Sequence, residues 1–174
     1  MTRPLSIAII GAGMGGLASA AALRRVGIDV AVYEQATQFT RLGAGIQIGC
    51  NAMKVLRGLG LESRLRQQSF YPRSWNNRDW RTGEVKFDMV FGEVAEQKFG
   101  APYLLAHRGD LHAALASAVP DECIKLSHRL VGLDDTSAAF ASLLPMAQRR
   151  SPMPSLAPTA FIRRSGTCCL APHR

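Results

Sequence analysis

No apolar run in the sequence is long enough to span a membrane, although 47% of its 174 residues are hydrophobic. We also expect no secretory signal peptide, because glycines interrupt the short N-terminal apolar run from Gly11 onward, where a signal peptide would continue apolar to a cleavage site. We therefore expect a cytoplasmic protein with no membrane partner. The length suggests one domain with a sizeable core.

Cysteine and acidic residues are both scarce. Cys50, Cys123, Cys168 and Cys169 show no paired metal-ligand spacing, so we expect free thiols and no metal site. Lys and Arg outnumber Asp and Glu by 21 to 13, but this excess includes five arginines of residues 137–174, a segment without acidic residues. No stripe of basic residues interleaved with aromatics precedes that segment, so we do not expect nucleic-acid binding. The oligomeric state is not indicated.

Regular patterning ends near Ser137. Five of the nine prolines lie in residues 137–174, and no helical or strand period persists there. Such a segment buries too little surface to offset the entropy lost on ordering it. We therefore predict a patterned region over residues 1–136 and a disordered, irregular tail over residues 137–174.

Residues 5–33 predict one βαβ unit. Leu5 to Ile10 is a short apolar run typical of a buried parallel strand, and LASAAALRRVG predicts a helix that stops at Gly27. A second strand follows from Ile28 to Tyr33. This order predicts an α/β fold of the Rossmann type with a parallel sheet.

Further elements are predicted from local patterns. Strict alternation over residues 84–91 predicts a half-buried antiparallel strand. Asn51 is expected to cap a second helix that ends at Gly60, and Asp110 is expected to open a third. The remaining predicted strands are Tyr103–Ala106 and Arg129–Leu133.

A GxGxxG motif, formed by Gly11, Gly13 and Gly16, lies between the first strand and the first helix. Gly11 permits a tight turn, Gly13 lets a diphosphate approach the backbone, and Gly16 lets the helix pack close to the strand. The diphosphate would sit on free N–H groups at the positive end of the helix. Glu34 can accept hydrogen bonds from both ribose hydroxyls and would repel a 2′-phosphate, which favours FAD or NAD over NADP. The alternative is a plain glycine-rich turn with a surface glutamate.

Two later segments distinguish these cofactors: FTRLGAGIQIGCNAMKVLRGLGL, residues 39–61, and YLLAHRGDLHAAL, residues 103–115. Together with the glycine motif they resemble the single-component FAD-dependent aromatic hydroxylases, the group of salicylate hydroxylase and 6-hydroxynicotinate 3-monooxygenase. The resemblance covers residues 5 to about 136 and implies the N-terminal part of a Rossmann-like FAD-binding domain with added antiparallel strands. An NAD-dependent dehydrogenase is the runner-up, which the LGAGI and HRGDLH segments disfavour.

The resemblance assigns FAD contacts to individual residues. Arg108 resembles the family's arginine at the FAD diphosphate, and the backbone of Leu130 would meet the adenine end. Arg41 and the Gly43–Gly45 turn would lie beside the flavin ring, and Gln47 would face both flavin and substrate. The full predicted set is Gly11, Gly13, Gly15, Gly16, Glu34, Gln35, Arg41, Gln47, Arg108 and Leu130.

The chain departs from the family pattern at two positions. Gln47 stands where the 6-hydroxynicotinate enzymes have His, whereas Gln suits the benzoate and salicylate enzymes equally. Cys50 stands where the family usually has Pro, which predicts a looser loop. His107 and His112 are expected to be structural, since no nucleophile or metal partner is visible, and we assign no catalytic residue.

The resemblance further implies a flavoprotein monooxygenase. In this family NADH or NADPH reduces the flavin, and one oxygen atom of O2 is transferred to a small phenolic or hydroxypyridine aromatic acid. The family's second half supplies a DG-containing strand, a GD-type loop and a substrate-covering sheet, and none of these appears in this sequence. We therefore expect an N-terminal fragment that is inactive by itself. The alternative is a non-catalytic truncated product with at most weak dinucleotide binding.

The codons of the tail can also be read in a shifted frame. When the last base of each codon is joined to the first two bases of the next, allowed codons from Pro152 through Ala171 spell DAVIGADGVHSAVRHVLFGP. This string contains an apolar strand and the DG segment with which the family continues, although third-base freedom permits other strings. We therefore hypothesise that residues 137–174 are an out-of-frame reading.

Overall fold

The computed structural model describes residues 5–41, 43–134, 140–145, 160–163 and 168–169. The chain divides into two compact units: the first unit is Met1–Thr40 with Leu115–Arg174, and the second unit is Arg41–Ala114. In the described part of the chain, no helix is both long enough and apolar enough to cross a membrane.

The described elements are short helices and short strands. In chain order they are β1 (Ser6–Ile10), α1 (Met14–Arg25), β2 (Asp29–Tyr33), β3 (Gly45–Ile48), α2 (Cys50–Gly58), α3 (Glu62–Gln68), β4 (Ser74–Arg78), β5 (Val85–Val90), α4 (Gly92–Phe99), β6 (Leu104–His107), α5 (Arg108–Ala116), a 3-10 turn (Asp121–Cys123), β7 (Ile124–Lys125), β8 (His128–Asp134), β9 (Phe140–Pro145), β10 (Ala160–Arg163) and β11 (Cys168–Cys169).

The predicted βαβ arrangement is confirmed in the first unit. β1 pairs in parallel with β2, and β7 continues the parallel pairing on the other edge of β2. Ile9, Leu17 and Val32, one from each of β1, α1 and β2, are completely buried. Burial of apolar side chains between helix and sheet is what the near-continuous apolar runs of parallel strands predict.

The helix α1 begins inside the glycine motif, at Met14, and ends where the sequence predicts. Gly27 adopts a positive φ of 79°. Its N–H donates to the Arg24 carbonyl at 3.0 Å, and the Ile28 N–H donates to the Leu23 carbonyl at 3.1 Å. This pair of bonds is a Schellman motif, which requires a left-handed residue and therefore favours glycine.

The C-terminal segment of the first unit contributes short strands. β8 confirms the strand predicted over Arg129–Leu133, and it pairs antiparallel with β9. In the predicted tail the structure also describes β10, which lies antiparallel to β1, and β11, which pairs with β10. The sequence pattern predicts none of these three tail strands. The rest of the tail, residues 137–139, 146–159, 164–167 and 170–174, lies outside the described residues, as does most of the segment behind the reading-frame hypothesis.

Aliphatic side chains form the core of the second unit. β3 and β6 pair antiparallel, and helices α2 and α3 contribute to the same core. Ile48, Met53, Leu65 and Leu104 are at most 1% exposed. β6 confirms the strand predicted over Tyr103–Ala106, whereas the sequence does not predict β3, because its glycines read as a turn.

The start of α2 differs from the prediction, and its end agrees with it. Gly49 is the N-cap, in an extended conformation, and no side chain caps the helix. Asn51 is therefore the second residue of the helix and not its cap. Gly60 has a positive φ of 80°, and its N–H donates to the Arg57 carbonyl at 2.9 Å, which ends the helix as predicted.

The strand predicted over residues 84–91 is present as β5, but it is not half-buried. All six of its residues are exposed, and Phe87 and Met89 retain 49% and 43% of their surface. Alternation does place these two side chains on one face with Trp75, which lies opposite Met89 in the antiparallel pair with β4. A two-stranded hairpin has no third strand to complete a core, so its apolar face stays accessible.

Candidate functional site

The turn between β1 and α1 has the geometry that the glycine motif predicts. Gly11 adopts a positive φ of 96°, a conformation that side chains disfavour. Its N–H donates to the Tyr33 carbonyl at 2.7 Å, which fixes the turn to the end of β2. A Cβ placed on Gly16 would lie 2.0 Å from the Gly11 carbonyl oxygen. The helix and the turn therefore approach as closely as the third glycine of the motif allows.

The second glycine of the motif leaves open space. Gly13 is the N-cap of α1, and no side chain forms a capping hydrogen bond there. No atom lies within 4 Å of a Cβ placed there, and both Gly13 and Gly15 are exposed. The first N–H groups of a helix have no partner within the helix and carry partial positive charge. This end of α1 can therefore accept an anionic group against the backbone.

Glu34 is half-buried at the end of β2 and contacts the glycine loop directly. Its Oε2 accepts the N–H of Ala12 at 2.8 Å, and its Oε1 accepts the N–H of Ala36 at 2.9 Å. Each carboxylate oxygen has further lone pairs for other donors. The ribose contact predicted for Glu34 thus remains a prediction. The structure shows in addition that Glu34 connects the end of β2 to the glycine loop through a hydrogen bond. Gln35, the next residue, is exposed.

A second segment of the first unit holds residues 34–36 in place. Glu34 donates its N–H to the Lys125 carbonyl at 2.9 Å and accepts the His128 N–H at 2.8 Å. Ser127 donates its N–H to the Ala36 carbonyl at 2.9 Å and adopts a left-handed φ of 60°. These bonds are made between segments about ninety residues apart in sequence, so local patterns give no signal for them. Leu130, half-buried, follows on β8.

In the second unit, the pairing of β3 with β6 brings together the two segments that carry the family resemblance. Gly45 lies opposite His107. The N–H of Arg108 donates to the Ala44 carbonyl at 2.9 Å. Gly43 has a positive φ of 131°, and a Cβ there would lie 3.0 Å from the Arg108 Cβ. The stem of Arg108 therefore packs directly on the glycine turn, as the residue types in both segments permit.

Arg41 is bound by a residue that the sequence did not single out as functional. Its Nε and Nη2 donate to the two carboxylate oxygens of Asp110 at 2.8 and 2.9 Å. The guanidinium holds the pKa of Asp110 below its ordinary value, chiefly through these hydrogen bonds. Asp110 lies in the first turn of α5, which begins at Arg108, so it does not open the helix as predicted.

The other predicted residues of the second unit lie on or next to the same pair of strands. Gln47 is exposed on β3, opposite Leu105. His107 accepts the Gly109 N–H through Nδ1 at 3.1 Å, a local contact within the β6–α5 junction. Cys50, where the family usually has Pro, is the first residue of α2. Among the described residues, exposed Arg108 forms no ion pair.

The predicted site residues thus fall into two groups, one in each unit. The first unit holds Gly11, Gly13, Gly15, Gly16, Glu34, Gln35 and Leu130, and the second unit holds Arg41, Gln47 and Arg108. Within each unit, hydrogen bonds between distant segments hold together the segments that carry most of these residues.

Comparison with known proteins identifies relatives of the chain. The chain is 44% identical over 135 residues to 6-hydroxynicotinate 3-monooxygenase of Pseudomonas fluorescens, which covers 78% of this chain and 35% of that protein. It is 38% identical over 133 residues to 3-amino-4-hydroxybenzoate 2-monooxygenase of Streptomyces cremeus, covering 76% of this chain and 34% of that protein. The chain therefore spans about a third of the length of these relatives.

The fold also matches a solved structure. The crystal structure of Klebsiella pneumoniae HpxO complexed with FAD and uric acid superposes with a TM-score of 0.66 at 24% identity, covering 80% of this chain and 36% of that one. A family model described as FAD binding domain matches residues 5–125. Because this match extends over more than half of the chain, the protein belongs to the FAD binding domain family.

Proposed function

We propose that this chain is the FAD-binding part of a flavoprotein monooxygenase that hydroxylates a phenolic or hydroxypyridine aromatic acid with NADH or NADPH and O2. The observation that carries the proposal is the open backbone at Gly13, at the start of a helix whose loop is tied to Glu34. A dinucleotide requires this combination of an anion-accepting helix end and a nearby carboxylate.

In the first unit, the chain's residues fit the adenosine diphosphate part of FAD. The N–H groups at the start of α1 would bind the diphosphate, and Gly13 and Gly15 give it room. The remaining lone pairs of Glu34 would accept the ribose hydroxyls, beside exposed Gln35. The backbone of Leu130 would meet the adenine.

In the second unit, the family resemblance supplies the roles of the predicted residues. Arg108 would bind a diphosphate oxygen pair through its planar fork. Arg41 and the Gly43–Gly45 turn would lie beside the flavin ring, with Gln47 towards the substrate. FAD, when bound, supplies the redox chemistry that activates oxygen. The chain's own residues bind and orient it, and none of them is assigned a proton-transfer step.

The substrate class rests on the named relatives. Their names specify hydroxylation of 6-hydroxynicotinate, 3-amino-4-hydroxybenzoate and 3-hydroxybenzoate, which are all small hydroxylated aromatic acids. Gln47 gives the site an amide that can donate and accept hydrogen bonds, as such substrates require. We propose this class without choosing one member, and we place the enzyme in the cytoplasm, where NADH and NADPH are supplied.

The second candidate is a non-catalytic dinucleotide-binding protein. It rests on the open backbone at Gly13 beside Glu34, because these residues account for binding alone. On this view the chain binds FAD weakly and hydroxylates nothing. Both candidates share the dinucleotide site and differ in whether the frame-restored protein supports turnover.

A titration followed by a turnover assay tests the proposal. The purified chain is added to FAD, and the change in flavin fluorescence and a yellow protein fraction after dialysis report binding. Preference for NAD over FAD in the same titration would contradict the flavin assignment. Consumption of NADH by the frame-restored protein that depends on an added hydroxybenzoate or hydroxypyridine acid, with matching hydroxylated product, separates the monooxygenase from the non-catalytic binder.

A further inference from the structure

Two arginines and two glycines interlock where residues 41–44 meet residues 107–110. Arg108 packs over Gly43, and Arg41 packs over Gly109, where a Cβ would lie 2.7 Å from the Arg41 Cγ and 3.2 Å from its Cα. Each arginine thus occupies space that only a glycine on the opposite segment leaves free. Movement of one arginine stem therefore disturbs the backbone that supports the other.

Asp110 stabilises this arrangement. It binds Arg41 through two parallel hydrogen bonds of 2.8 and 2.9 Å, across 69 residues of sequence. The bidentate fork fixes the direction of the guanidinium as well as its position. It also neutralises Arg41, whereas Arg108 forms no ion pair with any residue that the structure describes.

We propose that Asp110 is a positioning residue of the flavin site, acting through Arg41 to hold the Gly43–Ala44 backbone against Arg108; the role at the flavin rests on the proposed function. The link from the salt bridge to Arg108 is the bond from the Arg108 N–H to the Ala44 carbonyl at 2.9 Å. Asp110 itself touches neither diphosphate nor flavin in this scheme.

A positioning role and a simple charge effect predict changes in FAD affinity of opposite sign when the Asp110 carboxylate is removed. Removing the Asp110 carboxylate leaves Arg41 unpaired and makes this segment more positive, which by charge alone would strengthen binding of an anionic diphosphate. Loss of positioning would instead weaken it, because Arg108 and the glycine turn would sample more conformations. The direction of the change in FAD affinity therefore decides between the two roles.

The test uses the full chain and three variants with an FAD titration. Asp110→Asn is expected to weaken FAD binding about fivefold, the upper range for an exposed ion pair with good geometry. Arg41→Lys, which keeps the charge and loses the fork, should give the same loss. Glu84→Gln removes an acid from the exposed Lys86 pair on the hairpin and should leave affinity unchanged. Unchanged or tighter binding in Asp110→Asn would overturn the proposal.

A double-mutant cycle tests whether Asp110 acts through Arg108. When Arg108→Ala is already present, Asp110→Asn should cause a smaller loss of FAD affinity than it causes in the parent, because one of the groups being positioned is gone. Two losses that simply add would show that Asp110 acts independently, and this result would also overturn the proposal.

Amide hydrogen exchange separates this inference from the proposed function. The Arg108 N–H should exchange several-fold faster in Asp110→Asn than in the unmodified chain, without FAD, because its bond to Ala44 is loosened. Faster exchange in a chain that fails to bind FAD would contradict only the proposed function. Unchanged exchange would contradict the positioning role, whatever the FAD titration gives.

Discussion

Glu34 and Ala12 are joined by a hydrogen bond of 2.8 Å between the Glu34 Oε2 and the Ala12 N–H, across 22 residues of sequence. The other carboxylate oxygen accepts the N–H of Ala36 at 2.9 Å. Because both donors belong to the protein backbone, Glu34 organises the glycine loop as well as offering lone pairs to a ribose. An acidic residue at this place therefore carries a structural task beside its predicted binding task.

Replacing Glu34 should weaken both stability and FAD binding. In Glu34→Ala two charge-assisted hydrogen bonds to N–H groups are lost, and we expect FAD binding to fall by about 1–3 kcal/mol. The midpoint of thermal unfolding should fall as well. Glu122→Ala, at an exposed residue of the same unit, is the matched control and should change neither quantity. A Glu34→Ala variant that retains FAD through dialysis as well as the parent would refute the assignment.

Substitutions at two glycines of the loop should separate an effect on folding stability from an effect on FAD binding. Gly16→Ala would place a Cβ 2.0 Å from the Gly11 carbonyl oxygen, so helix and turn must shift, at a cost of about 1–3 kcal/mol of folding free energy. Gly13→Ala meets no atom within 4 Å and has a φ of −68° that alanine adopts readily, so its unfolding curve should match the parent. The added methyl group of Gly13→Ala should nevertheless weaken FAD binding, because it occupies the space proposed for the diphosphate. Equal FAD affinity in Gly13→Ala and the parent would count against that placement.

Arg108 should contribute to FAD binding through its charge. We expect Arg108→Ala to weaken the complex by about 1–3 kcal/mol, as for a charge-assisted contact to phosphate. The salt dependence of FAD affinity should also become shallower, because one cation–anion attraction has been removed. Arg81→Ala, at an exposed arginine beside Trp80 on the hairpin, is the control. If the two arginine variants bind FAD equally well, Arg108 has been assigned wrongly.

The sequence predicts local structure best at positions whose backbone conformation few residue types can adopt. Gly27 and Gly60 end their helices with positive φ because few other residues adopt that conformation. Asn51, by contrast, is not the cap predicted for it, because Gly49 starts the helix earlier. The alternation of β5 predicts the face that Phe87 and Met89 share, but it cannot tell whether anything covers that face.

Contacts between distant segments lie beyond local patterns. Arg41 and Asp110 are 69 residues apart, and their salt bridge follows from the register of β3 with β6, which brings the two segments together. The ties of residues 34–36 to residues 125–128 have the same origin in strand pairing. Such pairs become visible only when the fold is known, which is why the sequence predicts the binding motifs and does not predict the residues that support them.

A charged cluster between helices of the second unit should make stability depend on pH. Glu62 binds both Arg57 and Arg66, and Arg66 also binds Glu96. Hydrogen bonds from Arg57, with a further contribution from Arg66, lower the pKa of Glu62 to about 2 from its ordinary 4.5. Because the folded-state pKa is depressed, this stabilisation is complete above pH 4.5 and is lost as the pH falls towards 2.

The Glu62→Gln variant tests this dependence. At neutral pH the variant should be less stable by about 1 kcal/mol, since the arginines are partly exposed to solvent and screened. Between pH 4.5 and pH 2 the parent should lose this advantage, so the two free energies of unfolding should converge. Urea denaturation at pH 7 and pH 3 measures the difference, with Glu84→Gln as an exposed control. A gap that stays constant with pH would show that the carboxylate charge of Glu62 contributes nothing.

The last prediction concerns the nucleotide sequence that encodes residues 137–174. We propose that this segment is an out-of-frame reading of the family's next segment, because acidic residues vanish there while Arg, Pro and Ser accumulate. Met153 followed by Pro154 forces one shifted codon, since ATG then CC gives GCC for alanine. The rest of the string DAVIGADGVHSAVRHVLFGP requires only particular choices among the allowed codons.

Sequencing the gene across codons 137–174 and beyond gives a direct answer. The proposal expects the shifted frame to encode this DG-containing string from Pro152 through Ala171 and to stay open past it. A stop codon within the string, or a different encoded sequence, would reject the proposal. If the frame is open, a one- or two-base correction should extend the chain into the DG segment and yield a yellow, FAD-containing protein. The uncorrected chain, expressed in parallel, is the control for flavin content, and it should form no hydroxylated product from any aromatic acid.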